Sequence, residues 1–361
     1  MLIIEPGDEV VLAKEYHDLH NMCVHLHDQM ADILIHDGYE SFRKHSLDFS
    51  KECLHIKELQ NKEMHVLDFL EANGMRDELT DVLVRDIVQA LLADFLHFIH
   101  ESLSTAKRGK ISVAYALLRK PLADLLLLFE QILINKQEFI DRFYHAGAAV
   151  GYDPSTEKLD NKKSIIAQAA SKLALRGIYV ADFIYDLRYE KSSKYGLAGT
   201  TNQALHIVTN DKHYQTPNRD LNFVFVAEGY LEQYWNNYYI VVPYLMSYAA
   251  AVLDEIVFGM MPENPGKHIK NIQRFLLFSK LPAGTTIQNI TLKERSLYDY
   301  LRDVTVHTCK NCNTELRFDK ADFTFFSAST VMLCTECFSD QFEDDEFTLK
   351  FQEAWAPLIP M

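Results

Sequence analysis

Four cysteines stand where residue type and spacing together specify a chemistry: Cys309 and Cys312, then, after 21 further residues, Cys334 and Cys337. Two residues between thiols let both sulfurs of a pair reach one ion from a tight turn, and two such turns complete a tetrahedron. Zinc suits four thiolates best, since it accepts them without geometric strain and brings no redox chemistry. With every position filled by protein, none is left for water or substrate, so the spacing predicts a structural Zn2+ site rather than a catalytic one. The rival use of Cys-x-x-Cys, thiol–disulfide exchange, employs a single pair.

The elements that must position these thiols read as short strands. Asp303 to Thr308 alternates with period two before the first pair, and Phe323 to Ser327 with Val331 to Leu333 leads into the second. From about Val304 to Phe338 the chain resembles a zinc ribbon. That resemblance implies a small β module that binds nucleic acid, binds a protein, or caps the chain. Lys310, Arg317 and Lys320 are outnumbered there by Glu315, Asp319, Asp322, Glu336 and Asp340, which favours protein contact or simple capping of the chain. The run Glu343-Asp344-Asp345-Glu346 reads as solvated surface.

A second candidate lies beside the first pair. Arg302 and His307 have the Arg-x4-His spacing of HEPN ribonucleases, which the stretch resembles; in that family the two side chains converge on a phosphodiester. The helical part also resembles HEPN-like proteins of bacterial abortive-infection systems, through Leu117-Leu118-Arg119 with Leu122 and Asp124, and through Tyr185-x-x-Arg188 followed by Ser193, Tyr195 and Gly196. Ala123 and Gly196 replace the family's acidic residue and histidine, which leaves Arg119 and Arg188 open to a second role as buried partners of carboxylates. Glu52-x-x-His55 and Asp94-x-x-His97 place an acid and an imidazole on one helix face, but about two such matches are expected by accident in a chain with 15 histidines and 51 acidic residues.

Composition bounds the rest. The chain has 361 residues, a formal net charge of -15 and six cysteines, which argues against broad nucleic-acid binding and for a cytoplasmic protein rather than a secreted disulfide scaffold. Tyr234 to Leu253 is uncharged for 20 residues yet lacks basic anchors at either end, so it reads as a helix buried inside a bundle and not as a membrane span. Apolar periodicity predicts helices over Asp8–Asp37, Tyr39–Asn73 (one helix or a broken pair), Asp77–Leu103, a Pro121-kinked fourth, Ser164–Tyr189 and Leu221–Met261, with a strand-like piece at Ala204 to Val208. The predicted architecture is mainly α: a helical bundle over 1–146, a second helical region over 164–300 packed on it, and a β zinc ribbon over 301–345 with an acidic tail to 361. The leading function is an interaction or regulatory protein of a bacterial defence or stress system, with a protein partner or homo-oligomer. The alternative is a HEPN-like ribonuclease using Arg302 and His307, or Arg119 and Arg188.

Overall fold

An uncharged 20-residue run of tyrosines and aliphatic side chains is stable only when most of its sides are covered, and the fold is arranged to cover it. The computed structural model describes residues 2–44, 46–47, 49, 53–173, 178–193, 195–224, 228–262, 267–278, 297–329 and 331–355. In chain order they form α1 (His17–Ile35), α2 (Glu40–Arg43), α3 (Ile56–Gln60), α4 (Val66–Ala72), α5 (Arg76–Lys107), α6 (Ile111–Arg119), α7 (Leu126–Ile134), α8 (Lys136–Ile140), α9 (Leu159–Ser171), α10 (Ala181–Arg188), α11 (Leu197–Leu205), α12 (Glu228–Gly259), α13 (Lys267–Phe278) and α14 (Leu297–Val304). A minimal hairpin of β1 (His307–Thr308) and β2 (Glu315–Leu316) follows, then α15 (Lys320–Ser329) and α16 (Asp345–Trp355).

Helix α12 is the axis. Its apolar window is 89 % buried, by α1, α6, α7 and α13. Each buried aromatic hydroxyl or indole on it finds a partner, as burial of a polar group requires. Trp235 Nε1 donates to Ala106 O at 3.0 Å, Tyr238 Oη meets Ser102 Oγ at 2.7 Å, Tyr244 Oη donates to Ile178 O at 3.0 Å, and Tyr248 Oη donates to Glu130 at 2.8 Å. Two ion pairs hold its neighbours: Glu130 with Arg188 joins α7 to α10, and Asp254 with Arg274 joins α12 to α13. Buried apolar residues run as one cluster from Ile4 to Ala354, so α15 and α16 share a core with the body.

The mainly α body with a small β part near the C-terminus agrees with the sequence reading. Pro121 interrupts its helix as expected, and Lys120–Leu125 is a π-helical segment between α6 and α7. Other expectations need correction. The first α-helix starts at His17, after a 3-10 turn over Lys14–Tyr16, and Asn21 ties the N-terminal segment to it by hydrogen bonds to Ile4 N and O. Tyr39–Asn73 is three short helices, and the helix placed at Ser164–Tyr189 is two, with 174–177 outside the described residues. Ala204 to Val208 is not a strand: α11 runs to Leu205, and Thr209, Thr216 and Asn222 then bond to one another in a side-chain network.

The strands expected to feed the cysteines are mostly helix. Val304 closes α14, where Thr305 turns both its N–H and its hydroxyl back to Leu301 O. Phe323 to Ser327 lies within α15, whose start is a reciprocal capping box. Asp319 accepts from Ala321 N at 2.6 Å and Asp322 N at 3.1 Å, while Asp322 accepts from Asp319 N at 2.7 Å. Phe323 and Phe326, three apart, then share the buried face.

Candidate metal centre

The two cysteine pairs sit on turns that are near copies of each other. Cys309 N donates to Thr314 O at 2.9 Å and Asn313 N to Cys309 O at 2.8 Å; Cys334 N donates to Ser339 O at 2.9 Å and Phe338 N to Cys334 O at 3.0 Å. In both, the residue after the second cysteine takes a left-handed backbone, with φ of 58° at Asn313 and at Phe338. The first turn closes the β1–β2 hairpin, and the second is closed by a bridge between Leu333 and Asp340.

These turns bring all four sulfurs within 4.8 Å of one another. Cys309 and Cys337 Sγ are 3.7 Å apart, and Cys312 and Cys334 Sγ are 3.6 Å apart. A tetrahedron with metal–sulfur bonds of about 2.3 Å has edges of about 3.8 Å. The observed separations match that figure and are far longer than the roughly 2.05 Å of a disulfide. The donor set therefore fits a four-thiolate metal ion, and such an ion would tie the β1–β2 hairpin to the segment between α15 and α16.

Polar groups around Cys309 and Cys337 favour thiolates. Ser339 Oγ lies 3.2 Å from Cys337 Sγ and 3.5 Å from Cys309 Sγ, while Cys312 Sγ donates to Thr314 Oγ1 at 3.3 Å. Gln341 Nε2 donates to Cys309 Sγ at 3.8 Å and to Ser339 O at 2.8 Å, fixing both. The hydroxyl of Ser339 is the main reason that Cys309 is pulled down to about 5 and Cys337 also lies below an ordinary thiol. Cys334, fully buried, is pushed up to about 11 by desolvation, a cost that a bound cation reverses.

Sequence reasoning missed Ser339, Gln341 and Asp344. Both pairs repeat the pattern Cys-x-x-Cys-x-(Thr/Ser), and that hydroxyl two residues on was the available signal for Ser339. Asp344 is not solvated surface: it is 7 % exposed. It accepts from Glu346 N as the N-cap of α16, sits 3.1 Å from His307 Nε2, and binds Lys310 Nζ. One carboxylate thus joins the first cysteine turn to the last helix.

Arg302 and His307 fall on different elements, the arginine in the last turn of α14 and the histidine on β1. Arg302 is exposed between Asp299 and Asp303, at 3.6 and 3.7 Å. His307 is buried against Phe347 with its Nε2 on Asp344. Arg119 and Arg188 do come together, on one cleft with Asp124. Arg188 is the buried carboxylate partner that the sequence allowed, 2.6 Å from Glu130, whereas Arg119 is exposed. His97 is exposed, Asp94 pairs with Lys120, and Glu52 lies outside the described residues.

Fold and site define a mainly helical protein with a four-cysteine centre near its C-terminus. No protein-family model, curated protein or solved structure matches the chain, so the resemblance to HEPN-like proteins gains no support from comparison.

Proposed function

We propose that the protein is a zinc-stabilised, non-enzymatic interaction or regulatory protein, in which the metal is a structural clamp between the β1–β2 hairpin and the α15–α16 segment. The observation that carries this reading is the set of sulfur separations, which leaves a tetrahedral ion no vacant corner. An intracellular setting is supported by Cys23 and Cys53, which are unpaired. A place in a bacterial defence or stress system, acting through a protein partner or a second copy of the chain, rests on the resemblance of the helical part alone.

The non-catalytic reading also draws on the surroundings of His307. A histidine held by Asp344 and packed on Phe347 is occupied with holding α16, and Arg302 has acidic neighbours in place of a phosphate. Incubation of the purified protein with RNA tests this: no cleavage is expected, whereas cleavage lost in His307→Ala or Arg119→Ala would establish the ribonuclease alternative. Elemental analysis of the same preparation is expected to give one zinc per chain.

A further inference from the structure

The cleft that gathers Arg119, Asp124 and Arg188 has a volume of about 340 Å³, within the usual range for small-molecule sites. Part of its lining is the π-helical segment Lys120–Leu125. Arg188 Nε donates to Leu122 O at 2.7 Å, and Tyr189 Oη donates to Ala123 O, so two carbonyls of the irregular backbone are held by Arg188 and Tyr189 at the end of α10. Segments of this kind persist where they shape a site.

What points to a ligand is Lys162. It is only 8 % exposed and lines this cleft. Among the described residues no carboxylate lies within ion-pair distance of its ammonium, which rests instead over the Tyr189 ring at 4.7 Å. Asp124, Glu157 and Asp153 act on this ammonium only through space, and a buried charge without a contact partner is costly unless an anion meets it. Arg119 likewise has no ion-pair partner among the described residues and lies on the rim, while Lys191 is satisfied by Asp211 at 2.7 Å and Arg188 by Glu130. Arg119 and Lys162 therefore outnumber the single lining carboxylate, Asp124, and leave the cleft a surplus of positive charge on a protein whose net charge is -15. The other wall carries Thr201, Asn202 and the ring of Tyr214, which is fixed by Asn202 Nδ2 donating to its hydroxyl at 2.6 Å. The one lining carboxylate, Asp124, can accept from a ligand hydroxyl.

We propose that this cleft binds a small phosphate monoester, with the phosphate between Lys162 and Arg119 and the ester group toward Asp124, Asn202 and Tyr214. Two positive groups suit a dianion, and a guanidinium suits its paired oxygens.

Calorimetry of the full-length, metal-loaded protein at low salt tests this with inorganic phosphate, ribose 5-phosphate, adenosine 5′-monophosphate and citrate. Binding of one or both esters is expected, weakened about 10- to 100-fold in Lys162→Gln and in Arg119→Gln. It should be unchanged in Lys163→Gln, a neighbour that pairs with Asp182 outside the cleft. Without ligand, Lys162→Gln should melt no lower than the parent, since it removes an unpaired buried charge; Arg119→Gln, on the exposed rim, reads binding without touching the core. No binding of either ester at millimolar concentration, or affinity in the two cleft variants equal to that of the parent, would overturn the proposal. So would inorganic phosphate or citrate binding as tightly as the esters.

Discussion

A phenylalanine with a left-handed backbone and 72 % of its surface exposed is an expensive way to make a turn, yet Phe338 does so beside the metal ligands. Its counterpart Asn313 meets the same demand with a residue that tolerates it. Phe338→Gly should therefore raise stability by about 1 kcal/mol in urea unfolding of the metal-loaded protein; a loss would mean that the ring packs on something. Ser339 touches two sulfurs, so Ser339→Ala should weaken metal affinity about 10- to 100-fold in a chelator competition, with the fold retained at saturating metal. His20 makes a different prediction. It is fully buried, its Nε2 donating to Leu2 O and its Nδ1 on Tyr239 Oη, and desolvation lowers it to about 4. The unfolded chain then binds the extra proton first, so stability should be full above about pH 6.5 and fall by roughly 3 kcal/mol as pH drops toward 4. Denaturant midpoints across that range should flatten in His20→Gln.

At the scale of elements, buried charges do the joining. Arg188→Met would strand Glu130 in the core and should cost about 3–5 kcal/mol, while adding Glu130→Leu should recover only part of the loss, since Tyr248 Oη and Leu122 O also lose their partners. Asp344→Ala removes a helix cap and the partner of His307 and Lys310, and should cost about 2 kcal/mol and loosen α16 in hydrogen exchange. These joints explain what the sequence could and could not reveal. The apolar stripe of α5 and the uncharged run of α12 were legible because their burial is written in periodicity and composition. The clustering of the four cysteines was legible because thiol chemistry fixes the spacing of a metal-binding set. The strands expected at Phe323–Ser327 were misread because alternation over five residues also fits a helix with phenylalanines three apart, and the Asp319–Asp322 capping box, which decides between them, was overlooked. Asp344 was hidden in an acidic run, where nothing local tells which carboxylate a distant lysine and histidine will bury.

At the scale of the molecule, the cysteine centre is continuous with the body. Gln29 on α1 donates to Gln273 on α13, which donates in turn to Phe326 O on α15, and Phe326, Phe342, Phe347 and Phe351 extend the shared core. Removing the metal should then loosen α15 and α16 first and leave most helical signal intact, because α1 through α12 bury their faces against one another. Thermal unfolding followed by circular dichroism should show a lower first transition after chelation or in Cys334→Ser, with little change in the helical baseline. The central claim, a closed four-thiolate zinc clamp, is tested most directly by X-ray absorption at the zinc edge of protein purified without added metal. The account predicts one zinc with four sulfur neighbours at about 2.3 Å and no nitrogen or oxygen ligand. A protein free of metal with its thiols reduced, or a zinc with a light-atom ligand, would contradict it.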